Sequence, residues 1–276
     1  MQTEKELKEE SSFWDHLEAL RWTIFRSLGV LMLFAIISFS FKDFIFNKIL
    51  LPPLSSDFHT YRVLCKIGEL TGISGFCAES FKIELINIAL AGQFMMHILT
   101  SMIVALIISV PYLLYEIWRF VRPALYPKEK KSVSLIFLSS SFLFYLGALV
   151  SYFIVFPFTL RFLGTYEIST TIINQVSIQS YMNTLFMLVL FMGLAFELPV
   201  IVFLLSQIGV VHKELLRNIR RYAFVGVLVL AAFITPTTDP FTMLLVAAPI
   251  YILYEVSIWV CKPKRKDEDE DENEED

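Results

Sequence analysis

The chain has 276 residues, and 56% of them are hydrophobic, whereas an ordinary globular domain is about 45 to 50% apolar. This composition excludes a soluble globular protein and indicates an integral membrane protein. The formal net charge of −4 arises from an acidic run at residues 267–276, where nine of ten residues are Asp or Glu, so the rest of the chain is basic, at +5. Such a run is typical of a solvated, disordered tail.

The N-terminal residues 1–15 are polar and acidic and lack the pattern of a cleavable signal peptide. Ser11 or Ser12 is predicted to cap a short amphipathic helix on the inner membrane surface, because apolar residues follow at helical spacing. The sequence divides into a cytoplasmic N-terminal segment at 1–11, a membrane domain at 12–262 and an acidic, disordered cytoplasmic tail at 263–276.

Six intervals without Asp, Glu, Lys or Arg predict six transmembrane helices. They cover residues 27–41, 85–115, 132–160, 168–196 with a continuation past Glu197, 222–238 and 240–254. Crossing ~30 Å of hydrocarbon takes about 20 residues. The first four intervals reach that length once the flanking Trp22, Ile24 and Phe25 are counted, and the last two do not. We expect such short helices to thin the bilayer locally or to pack inside a bundle. Prolines within the apolar segments predict a kinked, all-α bundle with a concave face.

The distribution of Lys and Arg predicts the orientation of these helices. With a cytoplasmic N-terminus, the inner segments hold 17 of the 23 basic residues and the outer segments hold 6. Because basic residues accumulate on the cytoplasmic side, both termini are predicted to be cytoplasmic.

The first external loop, residues 42–92, contains Cys65 and Cys77, whereas Cys261 lies near the inner face. An external compartment is oxidising, and the two cysteines are close enough in sequence to close a small loop. We predict a disulfide between Cys65 and Cys77; two unpaired thiols are the alternative.

Glu197 is the only acidic or basic residue between Ile168 and His212. A carboxylate at membrane depth costs several kcal/mol, so such a residue usually faces a protein interior or a wet cavity and has a function there. We interpret Glu197 as a contact for a polar group on a partner helix. The alternative is a structural role, in which it accepts hydrogen bonds from Gln207, Asn183 or backbone groups freed by Pro199.

Acidic residues in the basic inner segments need a separate explanation. One interpretation is an intramolecular salt bridge, and the other is a docking point for a cationic ligand, because guanidinium groups bind carboxylates through two parallel hydrogen bonds. Glu129 is the best placed of them, because two prolines fix the turn before it. The inner acids are Asp15, Glu18, Glu116, Glu129 and Glu214, with Trp118, Phe120 and Tyr126 as aromatic neighbours.

Five separated motifs occur together over about residues 12–262. They are HLEALR at 16–21, YEIWRFVRPALYPKE at 115–129, the pair FYLG at 144–147 and YFIVFP at 152–157, FELP at 196–199, and TPTTDP at 235–240. In this order they resemble the TatC family, the multi-spanning receptor subunit of the twin-arginine protein translocase.

The resemblance implies a six-helix, glove-shaped protein of the bacterial cytoplasmic (inner) membrane. TatC proteins bind the twin-arginine signal peptides of folded cargo at the cytoplasmic face. They export that cargo with the single-span partners TatA and TatB, or with one bifunctional TatA-type protein, using the proton-motive force. Other TatC copies and the lipid bilayer are further expected partners.

The resemblance also assigns roles to individual residues. Glu129 matches the loop glutamate that contacts the signal arginines, and Phe120 and Pro123 belong to the same motif. Glu197 matches an intramembrane polar site for partner contact. Two further matches lie in external loops, namely Pro53 in the first and Asp239 in the last.

One departure concerns Glu18. Family members commonly carry glutamate directly before the Leu-Arg pair, where this chain has Ala19. One residue is a rotation of about 100° on a helix. Glu18 is therefore a candidate signal-peptide residue whose direction differs from that of its family counterpart.

Two other classes of function compete with the receptor. A proton-coupled solute transporter would use Glu197 as a relay, but relays usually have ionisable partners in the membrane, and His97 is the one available. An intramembrane hydrolase would need a nucleophile with its base, an aspartate pair or a zinc motif, and the sequence contains none of these. No enzyme activity, cofactor, metal site or nucleic-acid partner is predicted.

Overall fold

The computed structural model describes residues 2–71, 83–121, 133–169, 174–236, 239–261 and 263. Within them the chain is almost entirely helical. The α-helices are α1 (Gln2–Ser40), α2 (Lys42–Phe44), α3 (His59–Thr71), α4 (Gly92–Val121), α5 (Val133–Val150), α6 (Phe156–Thr165), α7 (Ile178–Ala195), α8 (Leu198–Gln207), α9 (Lys213–Asn218), α10 (Arg220–Ile234) and α11 (Pro240–Val260). Two π-helical segments (Ile45–Leu50 and Ser151–Val155) and one 3₁₀ turn (Pro52–Leu54) continue or connect these helices.

Five helical stretches of the described chain are long and apolar enough to cross a membrane. They are Leu17–Ser40, Gly92–Phe120, Phe137–Thr165, Ile178–Gln207 and Pro240–Val260. The fifth predicted span, at 222–238, corresponds to α10, which has 15 residues, or about 22 Å of helix, so it is short as expected. The prediction of an all-α membrane protein is confirmed.

The predicted shortness of the last span is wrong. α11 has 21 residues, or about 31 Å, because the helix continues through Glu255 to Val260. Glu255 lies within the helix, and its carboxylate accepts a hydrogen bond from Arg220 Nη2 at 2.7 Å. A charge that is paired in this way is tolerated within an apolar helix.

The predicted N-terminal elements also differ from the structure. α1 is one continuous helix from Gln2, so Ser11 and Ser12 lie inside it rather than at the start of a helix. Residues 2–28 contain neither Gly nor Pro, and many of them are strong helix formers. A separate short helix before the first span is therefore absent from this part of the chain.

The chain forms two compact units, residues 1–50 with 89–141 and residues 51–88 with 142–276. The first unit is built on α1 and α4, which pack along their lengths in opposite directions. Arg26 meets Glu116 towards one end of this α1–α4 pair, and Phe39 stacks on His97 at the other, with ring centroids 4.0 Å apart. Ala35 and Ala105 are buried between these contacts.

The second unit joins the remaining spans to residues 51–88. A two-stranded parallel sheet pairs β1 (Leu85–Ile86) with β2 (Val176–Ser177), in residues that the charge-free intervals had included in the second and fourth spans. A Cβ built at Gly164 of α6 would lie 2.6 Å from the side chain of Ile83. The chain before β1 therefore packs directly on the end of α6.

Candidate functional site

Glu116 is the most enclosed acidic residue that the structure describes, with 1% of its surface exposed. Arg26 donates two hydrogen bonds to it, from Nε to Oε1 at 3.1 Å and from Nη2 to Oε2 at 2.8 Å. Tyr112 donates its hydroxyl proton to Oε1 at 3.1 Å, and Nη1 of Arg119 lies 3.9 Å from the same oxygen. The carboxylate is thus bound by a bidentate guanidinium contact, the strongest common form of ion pair.

The local sequence explains this cluster. Tyr112, Glu116 and Arg119 are spaced four and three residues apart, so they share one face of α4. Arg26 reaches them from α1, 90 positions away in the chain. We call the end of the α1–α4 pair that contains Arg26, Glu116 and Arg119 the charged end.

The charged end also receives two residues that were predicted to bind the signal peptide. Glu18 lies eight residues before Arg26 on α1, and Phe120 lies four residues after Glu116 on α4. These separations are about 12 Å and 6 Å along the two helices. Because α1 and α4 run in opposite directions, both residues lie beyond the ion pair at the same end. Glu18 is exposed and Phe120 is half-buried.

The rotation of α1 bears on Glu18. With about 100° per residue, Ala19 projects within about 20° of the direction of Arg26, whereas Glu18 is rotated from it by about 80°. Arg26 points at α4, so Ala19 and not Glu18 shares the face that packs on α4. The departure from the family pattern thus turns the acid away from that face.

The other two predicted signal-peptide residues, Pro123 and Glu129, lie outside the described residues. α4 ends at Val121, two positions before Pro123. The helix that carries the charged end therefore leads directly into the segment that contains both residues.

Glu197 lies at a break between two helices. α7 ends at Ala195, and α8 begins at Leu198 with Pro199 in its first turn. The backbone remains near helical geometry, since the amide of Ile201 donates to the carbonyl of Glu197 at 3.0 Å. Only 8% of Glu197 is exposed, so its carboxylate is enclosed by protein within the second unit.

Two glycines set the position of this break. A Cβ at Gly147 of α5 would lie 2.7 Å from the ring of Phe196, and a Cβ at Gly193 of α7 would lie 2.7 Å from the ring of Phe144. Each helix therefore places a phenyl ring on the glycine of the other. This reciprocal contact fixes the chain immediately before Glu197.

Pro53 is buried beside Tyr61. The Tyr61 hydroxyl lies 3.1 Å from the carbonyl oxygen of Pro157 and 3.4 Å from that of Pro53. Thr60 donates its hydroxyl proton to the carbonyl of Phe153. In a regular α-helix that carbonyl would accept from residue 157, which is proline and has no N–H. Residues of α3 thus bind backbone carbonyls near a proline inside the third span.

Asp239 caps a helix. Its Oδ1 accepts a hydrogen bond from the amide of Thr242 at 2.7 Å, and Pro240 occupies the first helical position. Asp at the N-cap followed by Pro is a preferred helix start. The structure thereby places Asp239 at the start of α11.

The cysteines are partly described. Cys65 is disulfide-bonded, and Cys261 is a buried free thiol. Cys77 lies outside the described residues, so its pairing with Cys65 stays a prediction. Among the described residues, no group of three or more His, Cys, Asp or Glu side chains could hold a metal ion.

The Arg26–Glu116 pair is the main feature that sequence reasoning missed. Glu116 was grouped with the acids of basic inner segments, whereas it lies inside α4 and is buried. One signal was available, since Glu116 stands within a run that is apolar for more than 20 residues before it, and Arg26 interrupts the first apolar segment. Charges in two apolar segments suggest mutual pairing.

The fold and the site together define a multi-spanning, all-α membrane protein in which a buried glutamate pairs with a partly exposed arginine near one end of the first two long helices. The family model for the Sec-independent protein translocase protein (TatC) matches residues 15–249. The chain therefore belongs to the TatC family, and it is a component of a protein translocase rather than an enzyme.

Known relatives agree with this assignment over nearly the whole chain. A TatC protein of Blattabacterium sp. subsp. Periplaneta americana is 36% identical over 93% of this chain and 97% of its own length. TatC of Aquifex aeolicus is 33% identical over 90% of this chain and 93% of its own length.

Solved structures agree as well. A crystal structure of the twin-arginine translocase receptor TatC in DDM has a TM-score of 0.72 and 33% identity, over 90% of this chain and 99% of the solved chain. A second crystal structure of the same receptor has a TM-score of 0.67 and 31% identity, over 89% of this chain and 97% of the other.

Proposed function

We propose that this protein is the signal-peptide receptor of a twin-arginine translocation system. It binds twin-arginine signal peptides of folded cargo at the cytoplasmic face of the bacterial inner membrane, where both of its termini lie. With TatA and TatB, or with one bifunctional TatA-type protein, and with further copies of itself, it exports that cargo using the proton-motive force.

The observation that carries this proposal is the register of the α1–α4 pair. It brings Glu18 and Phe120 to the same end, where α4 continues into the segment with Pro123 and Glu129. A carboxylate binds a guanidinium through two parallel hydrogen bonds, and an aromatic ring adds stacking. The buried Glu116 is already occupied by Arg26, so Glu129 and Glu18 are the carboxylates that we assign to an incoming signal.

Glu197 receives a different role in this proposal. It lies buried at the α7–α8 break and within an apolar stretch, far along the chain from the signal-binding motifs. We assign it to contact with a polar group of a partner helix or of the inserted signal at membrane depth. We assign structural roles to Pro53, whose carbonyl accepts from the Tyr61 hydroxyl, and to Asp239, which caps α11.

Peptide binding to the purified protein tests the proposal. A labelled signal peptide with two arginines is expected to bind, and a matched peptide with two lysines is expected to bind at least about tenfold more weakly, which corresponds to 1.4 kcal/mol. Glu129→Ala should abolish this preference. Glu18→Ala should reduce it less, because of its rotated direction on α1.

Glu167→Ala provides a matched control, because Glu167 is an exposed glutamate outside the helices. This variant should bind like the unmodified protein. Equal affinity of the unmodified protein for both peptides would exclude the receptor function.

A further inference from the structure

We propose that Arg26 and Glu116 are positioning residues for signal-peptide recognition. Their ion pair sets the rotation and spacing of α1 and α4 at the charged end, and thereby the placement of Glu18 relative to Phe120. This inference rests on the receptor function proposed above. It gives a recognition role to two residues that do not themselves contact the signal.

The geometry of the pair makes it directional. Two hydrogen bonds between a planar guanidinium and a carboxylate fix the angle between the groups as well as their distance. Tyr112 donates to Oε1 of Glu116 from one turn earlier on the same helix. Tyr112 of α4 therefore holds the Glu116 carboxylate in place while Arg26 of α1 binds it.

Away from the charged end, the α1–α4 contact includes small buried residues and one aromatic stack. Ala35 and Ala105 are buried between the helices, and small residues of this kind allow close approach of two helices in a membrane. A methyl group has little directional preference, so these residues resist rotation about the helix axes less than a bidentate ion pair does. At the far end, Phe39 stacks on His97, and His97 Nε2 lies 3.1 Å from the carbonyl of Phe39.

The ion pair is therefore a directional contact close to the predicted recognition residues. From Arg26 to Glu18 the distance is about 12 Å along α1, and from Glu116 to Phe120 it is about 6 Å along α4. Rotation of either helix at the charged end would move one of these side chains relative to the other. An error of about 1 Å in the position of interacting groups is enough to cost a large factor in function.

The second unit provides a matched control. Arg220 and Glu255 also form an ion pair, at 2.7 Å, but their side chains are 43% and 30% exposed. That pair joins α10 to α11 and lies in a unit without Glu18 or Phe120. Its loss tests whether breaking any ion pair in this protein is sufficient to weaken recognition.

The experiment measures the affinity of the twin-arginine peptide for folded, purified variants. Glu116→Gln and Arg26→Gln should weaken binding by about tenfold or more, whereas Glu255→Gln should leave it unchanged. Arg26→Lys keeps the charge but loses the bidentate contact. Its affinity for the peptide should therefore lie between that of the unmodified protein and that of Arg26→Gln. The exchange Arg26→Glu with Glu116→Arg should recover part of the affinity lost in the single variants.

A distance measurement separates positioning from a general loss of stability. Leu20 and Ile117 are exposed on α1 and α4 near the charged end. Spin labels at Leu20→Cys and Ile117→Cys, in a Cys261→Ala background, should give a narrow distance distribution. Glu116→Gln should broaden or shift it, and Glu255→Gln should not.

Each outcome decides between the two proposals. If the unmodified protein prefers the arginine peptide while folded Glu116→Gln and Arg26→Lys bind it equally well, the positioning role is refuted and the receptor function stands. If the unmodified protein itself shows no preference, the receptor function fails instead. Should Glu116→Gln not fold, Arg26→Lys and the exchanged pair provide the same test.

Discussion

The ring of Phe196 lies so close to Gly147 that a Cβ at position 147 would be 2.7 Å from it, a separation that side chains do not adopt. The backbone carbonyl of Met192 would lie equally close to that Cβ. Gly147 is therefore required by the packing of α5 on α7. The same holds for Gly193 beneath the ring of Phe144, so both helices depend on a glycine at the point where they meet.

Gly147→Ala and Gly193→Ala should each destabilise the protein by about 1 to 3 kcal/mol, as expected for overpacking of a close contact. Gly226→Ala is the control, because a Cβ there meets nothing within 4 Å. In a helix that substitution should be neutral or stabilise by about 0.4 to 1 kcal/mol. Thermal unfolding in one detergent compares the three variants, and equal melting temperatures would contradict the packing argument.

The N-cap of α11 gives a second prediction. Asp239→Ala removes the acceptor for the amide of Thr242 and should cost about 1 kcal/mol, whereas Asp239→Asn should keep most of the stability. Asp57→Ala is a suitable control, because Asp57 is highly exposed and its ion pair with Arg62 is long, at 4.0 Å. If Asp239→Ala unfolds at the same temperature as Asp57→Ala, the cap does not stabilise α11.

The buried Tyr61 should make the stability of the protein sensitive to alkaline pH. Burial raises the pKa of its hydroxyl group above the usual value, although nearby Arg161 lowers it in part. The folded state therefore keeps the proton longer than the unfolded state, whose tyrosine has a pKa of about 10. The contribution of Tyr61 is fully present below pH about 10 and is lost as the pH rises from there through the raised folded pKa.

Tyr61→Phe should lower stability at neutral pH, because the carbonyl of Pro157 loses its hydroxyl donor. The same variant should lose less stability than the unmodified protein above pH about 10. Tyr166→Phe, at an exposed tyrosine, should leave both values unchanged. Unfolding midpoints in denaturant at neutral and alkaline pH provide the measurement, and parallel pH curves for all three proteins would disprove the assignment.

The sequence predicted the membrane class and most spans, because charged residues are expensive in lipid and therefore mark where spans end. The same rule failed where charges are paired. The last charge-free interval ends just before Glu255, yet Arg220 binds Glu255 and the helix continues to Val260. The rule also assigned residues 85–91 to a span, although Leu85 pairs with Val176 in the sheet. The error arises because the rule considers charge alone and not backbone hydrogen bonding.

Contacts between distant segments were beyond sequence reasoning. Arg26 and Glu116 are 90 positions apart, and nothing local relates them. Gly147 and Phe196 likewise meet only when α5 packs on α7. Such contacts determine which helices are neighbours. A single sequence gives the residue types but does not show which residues contact each other. By contrast, Asp239 followed by Pro240 is a local helix-start signal that is readable from the sequence.

The disulfide prediction concerns Cys65, which is bonded. If Cys77 is its partner, Cys77→Ser should expose one reactive thiol at position 65 to a membrane-impermeant maleimide. Cys261→Ser should produce no new labelling, because Cys261 is a buried free thiol. Reductant should make both Cys65 and Cys77 of the unmodified protein reactive. Labelling of both cysteines without reductant would rule out the bridge.

Glu197 gives the last prediction, which separates folding from assembly. Its side chain is enclosed at the break between α7 and α8, and the preceding residue, Phe196, packs on Gly147. Glu197→Leu should therefore fold but bind partner subunits more weakly, because it removes the polar group from an apolar stretch. Glu197→Gln keeps hydrogen-bonding atoms and should be tolerated better than Glu197→Ala.

Co-purification with the single-span subunits measures this effect, and thermal unfolding reports the fold of each variant. Leu194→Ala is the control, because Leu194 is an exposed residue one turn earlier on α7 and its change alters the surface without touching the carboxylate. A stable Glu197→Leu variant that retains all of its partner would show that the carboxylate is structural. Loss of partner in both Glu197→Leu and Leu194→Ala would instead assign the contact to the apolar surface of α7.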